Sequence, residues 1–164
     1  MNVFRAVLLS SAFVLGATAG VSVAAGGSLA GFNFGEWQIS TGEFDFHTDT
    51  GEFSVPNHLT LTRPGSDISA DRASGNQKQK FATLYGDVVL HDSQGSFAGI
   101  AGGGSRAPST LTCAELQLDG VGKVYTAIGN VHFTQGGSQA YADRAVLNGM
   151  THQLQLHGHV RLIQ

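Results

Sequence analysis

The chain has a single cysteine, few charged residues and no convincing amphipathic helix pattern after residue 40, and each shortage excludes a class of protein. Cys113 is the only cysteine, so an internal disulfide is excluded, and we predict a buried apolar role for it in a strand. Charged residues make up 13% of the chain and the formal net charge is −3, which does not suggest a nucleic-acid partner. Low charge together with 23 glycines is typical of many short strands and turns.

The beginning of the chain lacks charge altogether after Arg5. Residues 6–35 contain no charged side chain, and the small residues around Ala24 and Ala25 offer a cleavage site. Residues 1–25 are therefore predicted to be a signal peptide or, because the uncharged stretch exceeds the ~20 residues that span a bilayer, a membrane anchor. In both cases the body of the protein is exported. Residues 26–42 are expected to hold a linker and the first strand.

The rest of the chain is built on a repeat. Residues 68–92, 111–135 and 140–164 align without a gap, and each copy runs from small residues through a polar turn to an alternating segment with a Gly-x-Val motif. This pattern predicts two antiparallel strands per copy, stacked so that neighbours bury a continuous apolar face. Residues 93–110 are rich in Gly and Ser and are expected to form a loop inserted between the first two copies.

Alternation of period two assigns one apolar and one polar face to these strands. The apolar face carries Ala82, Leu84, Val88, Leu90, Tyr125, Ala127, Val131, Phe133, Leu154, Leu156, Val160 and Leu162. The opposite face carries Asp87, His91, Asn130, His132, Thr134, Gln155, His157, His159 and Arg161.

Candidate catalytic or metal-binding patterns are weak. His157 and His159 lie two apart, as in the first motif of the cupins, but Thr151 stands where that motif has a glycine and the downstream glutamate is absent. Residues 120–123 end in Gly-Lys but lack the first glycine and the Ser or Thr of a phosphate loop. Asp71 and Asp143 occupy the same place in two copies but Ala114 replaces them in the third, which favours a shared structural role over acid–base chemistry. We predict no enzyme activity, no metal and no cofactor.

Three segments carry a resemblance to a known family. Residues 129–133 (GNVHF), 140–147 (AYADRAVL) and 154–162 (LQLHGHVRL) resemble the LptA/LptC (OstA-like) lipopolysaccharide-transport family, and the resemblance covers roughly residues 43–164. It implies an all-β, repetitive antiparallel β-jelly roll, folded over and open along one side, over residues 43–164. It also implies a periplasmic protein, tethered to the inner membrane if residues 6–35 are retained.

The same resemblance implies a function and partners. The protein would shield the acyl chains of lipopolysaccharide or a related glycolipid, without any cofactor. It would join other Lpt-type components, or further copies of itself head to tail, by adding strands at its edges. The implied lipid groove is lined by Leu84, Val88, Leu90, Ala127, Val131, Phe133, Leu154, Leu156, Val160 and Leu162. Two alternatives stay open at this point: an exported structural or adhesive β-repeat protein that binds no lipid, and a cupin-like metal enzyme.

Overall fold

The computed structural model describes residues 33–95 and 107–164. The predicted signal or anchor segment 1–25, the linker up to residue 32 and residues 96–106 of the predicted insertion lie outside the described residues. In the described part of the chain, no helix has the length and apolar character needed to cross a membrane.

The described residues form thirteen β-strands and no helix. In chain order the strands are β1 (Asn33–Phe34), β2 (Trp37–Thr41), β3 (Asp45–Phe46), β4 (Glu52–Val55), β5 (Leu59–Arg63), β6 (Ser66–Ala70), β7 (Arg72–Asn76), β8 (Phe81–Asp92), β9 (Ser109–Asp119), β10 (Val124–Gln135), β11 (Ser138–Asn148), β12 (Gln153–His157) and β13 (Arg161–Ile163). The second repeat forms the two predicted antiparallel strands, β9 and β10. In the first and third repeats one of the two predicted strands is divided, into β6 and β7 and into β12 and β13, and both parts pair with the long strand of that repeat.

Every strand pairing is antiparallel, and the pairings divide the sheet into two layers. Layer A contains β1, β2, β5, β6 and β13, together with the halves of β8, β9, β10 and β11 that lie alongside them. One row of paired residues in this layer runs from Ser66 through Asp92 to Ser109. Layer B contains β3, β4, β7, β12 and the other halves of the same four strands. The four long strands therefore run through both layers and join them.

Side-chain contacts show that the two layers face each other. The ring of Phe34 in layer A lies edge-on to Phe53 in layer B, with 6.0 Å between centroids. Arg63 in layer A donates a hydrogen bond of 3.3 Å to the hydroxyl oxygen of Tyr125 in layer B. The apolar core lies between the layers, as expected for one sheet with a single greasy face. The predicted fold class, an open antiparallel sheet folded over on itself, is confirmed.

A line of β-bulges crosses the long strands at the point where each strand passes from layer A into layer B. Gly86-Asp87 on β8 stands opposite the single residue Ala114, and Gly129-Asn130 on β10 stands opposite the single residue Asp143. Both residues of each pair have positive φ, which glycine adopts freely and which Asp, Asn and His tolerate better than most residues. Gly158-His159 separates β12 from β13 with the same conformation. Bulges bend the strand that carries them, so this bulge line accounts for the fold between the layers.

The repeated aspartates lie on the bulge line. A Cβ atom on Gly86 would stand 2.3 Å from Asp71 Oδ2, and one on Gly158 would stand 2.3 Å from Asp143 Oδ2. At Gly129 the nearest atom would be the Cβ of Ala114, at 3.1 Å. The aspartates therefore pack against the glycine of the neighbouring strand, which confirms the structural role predicted for them.

This arrangement predicts that Gly86→Ala destabilises the protein more than Gly129→Ala. Both glycines have nearly equal φ, +75° and +79°, so the left-handed strain of about 1–2 kcal/mol is common to the two variants. Only Gly86→Ala adds a clash with a carboxylate. Urea denaturation measures the difference, and Asp71→Ala in the same chain is expected to remove it. Equal losses for the two single variants would contradict the proposed packing.

Candidate functional site

The interior between the layers is lined by apolar rows that cross the strands. In layer A one row follows the register Ile68, Leu90, Leu111, Phe133 and Ala140, and every one of these side chains is fully buried. The corresponding row of layer B runs through Leu84, Leu116, Ala127 and Ala145, which are also fully buried. The two rows form the two walls of one apolar interior.

Six of the ten side chains predicted to line a groove lie on these two rows or extend them, and the exposure of the ten differs. Leu84, Val88, Leu90, Ala127, Val131 and Phe133 are buried. Leu154 and Leu156 are partly buried against the core. Val160 is 48% exposed and Leu162 is 54% exposed. The first six therefore pack against other protein atoms, and the last four lie where the interior meets solvent.

The interior opens at the last strand of each layer. Leu162 extends the layer A row, because it pairs with Ala140, and Leu156 extends the layer B row, because it pairs with Ala145. β12 and β13 pair with β11, and they form the last edge of the described sheet. Their partners on β11, Ala140 and Ala145, have short side chains that project little into the interior. An apolar molecule could reach the inner face at this edge.

The opposite end of the interior is closed by aromatic rings. Phe44 stacks on Phe53 at 5.8 Å between centroids and on Phe46 at 6.2 Å. Phe34 completes this aromatic cluster against Phe53, and Phe34, Phe44 and Phe53 are all buried. The interior is therefore closed at its aromatic end, and its apolar surface is accessible beside β12 and β13.

A buried polar row, which the sequence analysis did not anticipate, borders the interior at the end of layer A away from the bulge line. The row contains Ser66, Asp92, Ser109, Gln135 and Ser138, which pair across five neighbouring strands. Within it the Ser66 hydroxyl donates a hydrogen bond of 3.4 Å to the Asp92 carboxylate, which also accepts one from the backbone N–H of Gln94. Each of these residues falls on the inward parity of its strand, and this could have been read from the alternation once the strands were bounded.

A charged cluster, also missed, lies where the ends of the two layers meet. The guanidinium of Arg63 lies 4.5 Å from the centre of the Trp37 ring, and the Arg63 side chain is only 15% exposed. Glu36 lies 3.6 Å from Arg63 and 3.5 Å from Lys123. These residues belong to different strands and turns, so no spacing in the sequence signals their meeting.

The histidines and the cysteine show no arrangement suited to chemistry. The bulge at Gly158 interrupts the strand between His157 and His159, and His159 Nδ1 lies 2.7 Å from Asp143 Oδ2. Across the described ranges, no three His, Cys, Asp or Glu side chains come together as a metal site would require. Cys113 is buried in β9, and burial raises the pKa of its thiol to about 12. The thiol therefore stays protonated, as predicted for an apolar core residue.

Comparison with protein families decides the identity of the fold. A family described as lipopolysaccharide-assembly, LptC-related, matches residues 47–164, which is most of the chain. The chain belongs to the LptC-related lipopolysaccharide-assembly family. The resemblance identified from the three segments is thereby confirmed. A search of curated proteins found no match.

A solved structure shares the fold. LptH of Pseudomonas aeruginosa, described as the LptA-homologous periplasmic component of the conserved lipopolysaccharide transport device, superposes with a TM-score of 0.66. The match covers 78% of this chain and 94% of that chain at 7% sequence identity. At such low identity the likeness concerns the fold alone, and it supports the same open β architecture.

Membership in the LptC-related family makes this chain a lipopolysaccharide-transport protein with a β-groove. Members of the family are transport proteins rather than enzymes. The alternative of an exported structural or adhesive repeat is not favoured by these findings. The cupin-like alternative depended on His157 and His159 lying on one continuous strand, and the strand is interrupted at Gly158-His159.

Proposed function

We propose that the protein holds the acyl chains of lipopolysaccharide, or of a related glycolipid, against its inner face in the periplasm. The apolar side chains on β12 and β13 support this proposal, because they extend the buried apolar rows to an edge that is exposed to solvent. Each methylene removed from water contributes about 0.8 kcal/mol, so a few acyl chains bind without directional contacts. No bond is made or broken, and the energy for transport comes from another component.

The ten predicted groove residues take two roles in this proposal. Leu154, Leu156, Val160 and Leu162 contact the first acyl chain at the open edge. The six buried residues, among them Leu84 and Phe133, form the apolar walls behind it and become lipid contacts only when the layers separate. The short side chains of Ala140 and Ala145 on β11 leave space for the acyl chain beside the edge.

Periplasmic location and edge-strand pairing complete the proposal. Export follows from the uncharged segment of residues 6–35, which acts as a signal peptide or as a tether to the inner membrane. The edge formed by β12 and β13 offers backbone groups for pairing with a strand of another Lpt-type component or of a second copy.

Co-elution of the purified protein with lipopolysaccharide on size exclusion tests the acyl-chain role. The protein is expected to elute with intact lipopolysaccharide and not with lipopolysaccharide from which the acyl chains have been removed by base. A rise in apparent mass with protein concentration is expected if copies pair through their edges. Equal binding of the deacylated glycan would contradict the proposal, because it would place recognition on the sugar.

A further inference from the structure

The charged cluster borders two adjoining cavities, one of which also reaches the apolar core. The larger, of about 510 Å³, is lined by Glu36, Arg63, Pro64, Lys123, Tyr125, Gly149 and His152. The smaller, of about 140 Å³, shares four of these residues and extends along the core side chains Phe34, Trp37 and Leu118. A ligand that fills both would have one charged part and one apolar part.

The cations are held in place before any ligand arrives. Arg63 is fixed between the Trp37 ring and the Tyr125 hydroxyl, which leaves only a small part of its side chain exposed. A planar guanidinium held in this way suits the paired oxygens of a phosphate. Lys123 is fixed less firmly, with 54% of its side chain exposed, and supplies a second positive charge from the turn after β9.

The carboxylate of Glu36 is an exposed counterion of both cations. Its distances to Arg63 and Lys123, 3.6 and 3.5 Å, exceed the roughly 2.7–2.9 Å of a charge-assisted hydrogen bond. Its side chain is 64% exposed, so it can leave the cluster without disturbing the core. The other carboxylate nearby, Asp119, accepts hydrogen bonds from the backbone amides of Val121 and Gly122 through Oδ1.

We propose that Arg63, Lys123 and Tyr125 form a binding site for the phosphate group of an amphiphile whose apolar chain enters the adjoining cavity beside Trp37. The phosphate displaces Glu36 and bridges the two cations, because it carries more negative charge than a carboxylate and offers more acceptor oxygens. This inference rests on the proposed function for its apolar half, and it adds a charged contact that orients the ligand.

Trp37 provides the measurement, since it is the only tryptophan of the chain and lies under the Arg63 guanidinium. The full chain is titrated with dodecyl phosphate, with neutral dodecyl maltoside and with inorganic phosphate, below the micelle concentration, while tryptophan fluorescence is recorded. Lys123→Gln is expected to weaken dodecyl phosphate binding by about tenfold, the usual effect of one charge-assisted contact. Glu36→Gln is expected to tighten it severalfold. Lys78→Gln removes the same charge outside both cavities and is expected to change nothing.

The probes separate this inference from the proposed function. Dodecyl phosphate is expected to bind more tightly than both dodecyl maltoside and inorganic phosphate. If dodecyl maltoside binds equally well, or if Lys123→Gln matches Lys78→Gln, the phosphate site is overturned while acyl-chain binding stands. If inorganic phosphate binds as tightly as dodecyl phosphate, the site takes a free anion and the amphiphile is overturned as its ligand. If neither amphiphile changes the tryptophan fluorescence, this inference is overturned, whereas acyl-chain binding at the edge formed by β12 and β13 is decided separately by co-elution with lipopolysaccharide.

Discussion

Phe133→Ala is expected to lower the free energy of unfolding by about 3–5 kcal/mol, whereas Leu162→Ala should change it by less than about 1 kcal/mol. Both side chains lie on the same apolar row of layer A, separated by Ala140. Phe133 is fully buried and Leu162 is 54% exposed, so only the first substitution opens a cavity in the core. Urea denaturation followed by circular dichroism measures both variants.

This contrast tests whether the interior is filled at its centre and open at its edge. A loss of 3–5 kcal/mol is a large share of the roughly 5–15 kcal/mol that stabilises a typical domain. A small loss for Phe133→Ala would mean that the centre of the interior is an empty groove, and it would contradict the role of Phe133 as a buried wall residue. A loss of several kcal/mol for Leu162→Ala would contradict the open edge.

Leu156→Asp is expected to reduce affinity for lipopolysaccharide by at least about tenfold. The substitution removes a leucine contact of about 1.5–3 kcal/mol and places a carboxylate against acyl chains, where no partner neutralises it. Leu156 faces the interior beside Ala145, while its neighbour Gln155 is exposed on the outer face. Gln155→Asp adds the same carboxylate on the same strand and is therefore the matched control.

The control variants distinguish lost binding from lost folding. Leu156→Met keeps an apolar side chain of similar size and is expected to bind as the unmodified protein does. Thermal unfolding of all three variants establishes that each is folded at the temperature of the binding measurement. If Leu156→Asp and the unmodified protein bind lipopolysaccharide with equal affinity, the acyl chains do not contact the open edge, and the proposal is contradicted.

The strands and their faces could be predicted because alternation is a local property of the sequence. Side chains two apart share a face, so Leu84, Ala127 and Phe133 were assigned to the interior without knowledge of the partners they contact. The repeat supplied the pairing, since neighbouring copies of one unit can bury a shared face only by stacking. Family resemblance supplied the function, which no spacing of reactive side chains indicated.

The bulge line and the charged cluster could not be predicted in the same way. The Gly-x-Val motifs marked the repeat, and their structural meaning appears only when Gly86 is placed beside Asp71, between β6 and β7. Arg63 and Trp37 lie on the paired strands β5 and β2, whereas Tyr125 on β10 approaches them only when the sheet folds over. The unequal exposure along the apolar rows has the same origin, because it depends on which strand ends the sheet.

Photo-crosslinking within the envelope of a lipopolysaccharide-producing bacterium tests the central claim most directly. A benzophenone side chain is placed at Leu156, facing the interior, and in a second protein at Gln155, facing outward on the same strand. After irradiation, mass spectrometry is expected to find a lipopolysaccharide adduct at position 156 and none at position 155. Equal capture at both positions, or capture at 155 alone, would contradict an acyl-chain site between the two layers.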